Sequence, residues 1–155
     1  MPERIGSVAQ LRSAYAGGSL TPADVAERVL AGLPSGAAGP VWISTVAPER
    51  LRARAAELAG LDDPAALPLY GIPFAVKDNI DVAGMTTTAG CPDFGYRAAT
   101  DAPVVRRLLD AGAMLVGKTN LDQFATGLTG SRSPYGACES VFGGGLIAGG
   151  SSSGS

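Results

Sequence analysis

The chain has no histidine and only two cysteines in 155 residues. The first absence removes Ser-His-Asp and Cys-His pairs from this stretch, together with any metal site built on imidazole. Cys91 and Cys138 form no CxxC and no disulfide framework, so a reducing cytoplasm is the expected location. No run approaches about 18 uninterrupted apolar residues, and "MPERIGSVAQ" lacks the apolar core of a signal peptide. Neither secretion nor membrane insertion is therefore expected. An excess of one charge is also missing: 12 basic residues face 14 acidic ones, for a net charge of −2. That balance gives no electrostatic reason to expect nucleic acid or an anionic membrane as a partner.

What is present reads as globular. Apolar residues make up 46% and charged residues 17%, and the length suits one domain with a real core. Glycine (22) and proline (11) exceed a fifth of the chain, which predicts many loops between elements.

The first 68 residues read as a helical segment. "SVAQLRSAYA" (7–16) sets Val8, Leu11 and Tyr15 at helical spacing. A second helix follows Thr21 as N-cap, with Pro22 at its first position, Asp24 in its first turn and Gly32 as a stop. "PSGAAGP" (34–40) reads as a loop. A third helix over 48–60 turns Leu51, Ala55 and Leu58 inward and Arg50, Arg52 and Arg54 outward.

Residues 69–155 have a different character. A short apolar strand from Pro73 to Val76 is ended by Asp-Asn turn chemistry. A helix over 100–112 takes Thr100 or Asp101 as cap, Val104, Leu108 and Leu109 as its apolar face, and Gly112 as its stop. "AMLVGKT" (113–119) reads as a buried strand, and strand–helix–strand order predicts an α/β crossover with a parallel sheet. From Gly127 onward the chain reads as loop. The expected fold class is α/β: N-terminal helices, then part of a mixed or parallel sheet with flanking helices.

Several motifs compete for function. Gly112 to Thr119 fits the P-loop pattern letter for letter. Its variable positions, however, are an apolar strand whose amides belong to a sheet, so nucleotide binding is not the expected use. "GGGLIA" (143–148) fits a dinucleotide pattern loosely, with no convincing helix after it. Lys77 stands at a strand end, where open α/β sheets place their sites. It is either a lysine surfacing into solvent or a general base, with Phe74 and Val76 supplying part of a dry surrounding. With histidine missing, lysine is the available base for a serine nucleophile. Lys118, Asp122 and Arg132 are alternatives on chemistry alone; Lys118 and Asp122, four apart, are placed to pair with each other. "GGSSSGS" (149–155), on composition alone, is a flexible linker.

Three blocks in order change that reading. "GIPFAVKDNIDVAGMTTTAG" (71–90), "DAPVVRRLLDAGAMLVGKTNLDQFATG" (101–127) and "GGSSSGS" together resemble the amidase signature family. Within it, "TNLDQFATGLTGSRSPYG" is most similar to the allophanate hydrolase branch rather than to general amidases or amidotransferase A-type subunits. The resemblance implies a Ser–Ser–Lys triad: Lys77 as base, Ser151 as a bridging serine after a cis peptide bond, and a nucleophilic serine about two dozen residues further on. It also implies a substrate wall with Gly127, Thr126 and Ser152, a small amide substrate and no cofactor or metal. A homodimer in the full-length protein and a functional link to a urea carboxylase are implied as well. On this reading the chain is the N-terminal portion of an amide hydrolase that turns allophanate into ammonia and carbon dioxide, and is inactive by itself. A P-loop nucleotide binder and a non-catalytic interaction module are the readings from other classes.

Overall fold

The computed structural model describes residues 6–34 and 39–155. The expected loop over 34–40 therefore lies largely outside the described residues. The chain forms two compact units, each gathered from several stretches of sequence. One takes the described residues among 1–35 with 46–74 and 107–116; the other takes those among 36–45 with 75–106 and 117–155.

The first unit holds the early helices. α1 (Val8–Ala16) is capped by Ser7, whose side chain accepts from the Gln10 amide while Gln10 reaches back to the Ser7 N–H. α2 (Pro22–Gly32) starts at Thr21 in a capping box with Asp24 and buries Val25, Ala26 and Val29. α3 (Pro48–Ala59) buries Leu51, Ala55 and Leu58, as its spacing predicted, and packs on α2. Arg54 departs from the expected outward set. Its guanidinium reaches the carbonyls of Ala113 and Leu109. The Tyr15 hydroxyl donates to the Gly71 carbonyl at 2.8 Å, and burial, ahead of the neighbouring Tyr70 and Asp24, pushes its ionisation up to about 12.

Three strands make a mixed sheet in the order β1–β5–β2: β1 (Trp42–Thr45), β2 (Pro73–Lys77) and β5 (Met114–Thr119). β1 runs antiparallel to β5, with Thr45 opposite Gly117 and Trp42 opposite Thr119. Hydrogen bonds from Gly71 to Gly112, Met114 to Ile72 and Asp78 to Thr119 advance together along both chains, so β2 and β5 are parallel. β1 is a strand that the sequence pattern did not announce; its residues are only partly buried and too few to show alternation. Two short strands, β3 (Thr86–Thr87) and β4 (Tyr96–Arg97), pair antiparallel in the second unit.

The crossover helix α4 (Pro103–Asp110) differs in detail from expectation. It opens at Pro103 rather than at a Thr100 or Asp101 cap, and Asp101 instead accepts the Ala83 amide at 2.7 Å. Its buried residue is Val105, whereas Val104 is half exposed. Val105 lies three and four residues before the half-buried Leu108 and Leu109, so it shares their helix face, whereas Val104 lies about 100° further round. Val105→Ala is accordingly expected to destabilise the protein by about 1–3 kcal/mol, while Val104→Ala stays within about 0.5 kcal/mol. Denaturant midpoints of the two variants, compared with the parent, test this face assignment.

Candidate active site

β2 ends at Lys77, and the backbone turns at once, the Ile80 amide donating to the Lys77 carbonyl at 2.9 Å. Alternation along the strand sets Lys77 on the face opposite Phe74 and Val76. Those two side chains therefore do not form the dry surrounding expected from their sequence proximity. Instead the half-buried Lys77 side chain meets the "GGSSSGS" segment: its Nζ lies 2.6 Å from Ser151 Oγ, across 74 residues of sequence.

That segment is no free linker. The peptide bond between Gly150 and Ser151 is cis. The Ser151 carbonyl accepts the amides of Asp122 at 2.9 Å and Ser153 at 3.0 Å, the Gly150 amide donates to Leu128, and the Gly154 amide donates to Asn120. Four backbone hydrogen bonds in five residues hold a stretch whose composition alone predicts flexibility. Ser152 is exposed and Ser153 is buried.

The remaining candidates separate into placed and structural groups. Lys118 and Asp122 do not pair; this corrects the expectation drawn from their spacing. Residues 118 and 119 are still strand, not helix, so an i,i+4 contact has no helical surface to run along. Lys118 is wholly buried: its ammonium forms an ion pair with Asp78 Oδ1 at 3.0 Å and donates to Thr87 Oγ1 at 2.6 Å and to the Thr86 carbonyl at 3.1 Å. A lysine so enclosed has no free proton to offer a phosphate, and the neighbouring variable positions of the P-loop pattern run as buried strand β5.

Asp122 is also fully buried, but its partners are backbone amides: Arg132 N–H at 2.8 Å on Oδ1 and Gly130 N–H at 3.0 Å on Oδ2. Burial pushes its carboxyl up, yet the amides of Arg132, Gly130 and Thr129 and the Arg132 charge outweigh it, leaving the group below the usual carboxylate range. Arg132 itself is exposed, so its main-chain amide rather than its side chain is drawn into the site. Thr126 is exposed and its hydroxyl donates to the Gln123 carbonyl at 2.9 Å. Gly127 is buried against the Asp122 carboxylate.

Sequence reasoning missed Asp78 as a side chain with work of its own. Beyond pairing with Lys118, its Oδ2 accepts both the amide and the hydroxyl of Thr88. The signal was available: a lysine inside a strand with the apolar run of "AMLV" has to find a buried carboxylate. Asn120 was missed too. It binds the carbonyls of Pro40 and Gly136 and accepts from the Leu121 amide and the Ser133 hydroxyl. Among the described residues no cluster of three or more metal-ligating side chains occurs, and no helix is long and apolar enough to cross a membrane.

A sequence profile described as amidase matches residues 36–155. The chain belongs to the amidase family. Urea amidolyase of Saccharomyces cerevisiae is 54% identical over 114 residues, covering 74% of this chain and 6% of that protein. The A-type subunit of glutamyl-tRNA(Gln) amidotransferase from Symbiobacterium thermophilum is 38% identical over 153 residues, covering 96% of this chain and 31% of that polypeptide. A serine-to-alanine variant of Kluyveromyces lactis allophanate hydrolase superposes with a TM-score of 0.87 at 43% identity, over 100% of this chain and 26% of that one. The chain thus spans a small part of the relatives it matches. The α/β amidase fold expected from the sequence is the one found.

Acid sensitivity follows from the carboxylates. Asp122, and Asp81 through hydrogen bonds from Thr87 first and Tyr96 second, are both held below their ordinary value of 3.8. Groups depressed by folding contribute stability that is complete above about pH 4 and is lost as pH falls through their lower folded values. Urea midpoints are therefore expected to hold steady from about pH 7 to pH 5 and to fall steeply below about pH 4. A midpoint that rises on acidification contradicts this assignment.

Proposed function

We propose that this chain is the lysine- and bridging-serine-bearing portion of an allophanate hydrolase-like amidase. The observation that carries the reading is the 2.6 Å contact between Lys77 Nζ and Ser151 Oγ, formed beside the cis Gly150–Ser151 bond. Identity of 54% to a urea amidolyase points to the allophanate branch.

In this reading Lys77, as a neutral amine, takes the proton of Ser151 Oγ while Ser151 takes that of the nucleophilic serine. The nucleophile is a serine outside the described residues, about two dozen positions beyond Ser151 by the family resemblance. It attacks the amide carbon, and backbone amides near it stabilise the oxyanion. The proton returns from Lys77 through Ser151 to the departing nitrogen, so ammonia leaves neutral. Water then releases the acyl group by the same relay in reverse. The backbone of Gly127, with Thr126 and Ser152, forms part of the wall facing a small polar amide. The full-length protein is read as a cytoplasmic homodimer, linked in function to a urea carboxylase that supplies its substrate.

A second reading, an amidotransferase A-type subunit or general amidase, is favoured by the 38% identity spread over 96% of the chain. Ammonia release by the full-length protein separates the two. Allophanate is expected to be hydrolysed with a kcat/KM at least about 100-fold above that for glutamine or simple aliphatic amides. Preference for glutamine overturns the allophanate reading in favour of the second. The 155-residue polypeptide assayed alone is expected to release no ammonia from any of them.

A further inference from the structure

Asp122 is used by neither reading, yet the serine segment converges on it. Its carboxylate takes the amides of Gly130 and Arg132, and its own N–H donates to the Ser151 carbonyl at 2.9 Å. Two glycines make room for it. A methyl group on Gly127 would overlap Asp122 Cγ and Oδ2, and one on Gly150 would overlap Oδ2 and crowd the Gly130 amide. Neither glycine has a positive φ, so both are required by space and not by backbone conformation. The carboxylate is a wedge between the 127–132 loop and the 149–155 segment, joined to the first by its oxygens and to the second by its amide.

We propose that Asp122 is a positioning residue for Ser151, setting the serine hydroxyl within reach of Lys77. It touches no reacting atom: it is wholly buried and its oxygens are committed to main-chain amides. Its effect passes through the Ser151 carbonyl and the close seat of Gly150. A contact of 2.6 Å at Lys77 tolerates little displacement, since a shift of about 1 Å in a relay group costs about 100-fold in rate. A second consequence concerns Gly127. Its buried Cα faces the Asp122 carboxylate, so glycine is required there to seat the wedge, independently of any substrate contact by its backbone.

The inference rests on the amidase reading for its kinetic consequence, and the test has an arm that does not. In the full-length protein, Asp122→Asn keeps the volume but turns one acceptor into a donor facing a donor. Its kcat for ammonia release is expected to fall about 10- to 100-fold with KM within about twofold of the parent. Gly127→Ala, which leaves every charge in place, is expected to show the same kcat loss; a rise in KM alone overturns the wedge account of Gly127. Hydrogen exchange followed by mass spectrometry supplies the second arm. Peptides covering 127–132 and 148–155 are expected to exchange about tenfold faster in Asp122→Asn, while a peptide covering 114–119 is unchanged.

Parent-like kcat in Asp122→Asn, or unchanged exchange over 148–155, overturns the proposal. If the parent releases ammonia from no amide, the functional reading fails, and the exchange arm alone decides whether Asp122 holds the serine segment. If Asp122→Asn does not fold, Gly127→Ala carries both arms.

Discussion

The second unit is organised around an ion pair that water never reaches. Lys118 and Asp78 are both fully buried, and a charge in that position is tolerated only with a partner of opposite charge. Here that condition ties three pieces of chain together. Lys118 belongs to β5, Asp78 follows β2, Thr87 and the Thr86 carbonyl belong to β3, and Thr88 closes the carboxylate from the far side. Removing one member of such a pair generally costs about 3–5 kcal/mol because the other charge is left stranded. The functional consequence is positional. Asp78 is the residue after Lys77, and its amide donates to Thr119 while its carbonyl accepts from Ala89. The main chain beside Lys77 is thus fixed by backbone and side chain at once.

A second buried carboxylate performs the matching task for the serine. Asp122 carries no lysine partner and is satisfied by main-chain amides, which suits it to shaping loops. The two acidic groups divide the work: one fixes the strand end that carries the lysine, the other fixes the segment that carries Ser151. Neither needs to approach the chemistry. Between them, residues separated by 74 positions arrive at hydrogen-bond distance.

Much of this was legible in the sequence, and the limits have physical causes. The caps at Ser7 and Thr21 and the buried triplet Leu51, Ala55 and Leu58 follow from local rules, and the structure contains them. The face of α4 was misjudged at one residue: of two adjacent valines with equal apolarity, Val105 is the one three and four residues from Leu108 and Leu109, and so shares their side of the helix. Strand β1 escaped notice because four half-exposed residues carry no clear period. At the candidate site, Lys77 and Ser151 were singled out through motif blocks rather than through propensity, and what the folded chain adds is their proximity. The Lys118–Asp122 pairing failed for an instructive reason: spacing of four has meaning only on a helix, and Lys118 lies on a strand. Gly127 was read as part of a substrate wall and Gly150 as part of a glycine–serine segment; the space that a side chain at either position would need is occupied by the Asp122 carboxylate.

The central claim is that Lys77 and Ser151 act as one proton relay. A double-mutant cycle in the full-length protein addresses it directly, with kcat/KM for ammonia release measured for Lys77→Ala, Ser151→Ala and the combined variant. A relay broken at either link is already broken, so each single change is expected to cost about 10²–10⁴-fold, with the pair no slower than the worse single. Losses that multiply in the double variant would show two independent contributions and contradict the account.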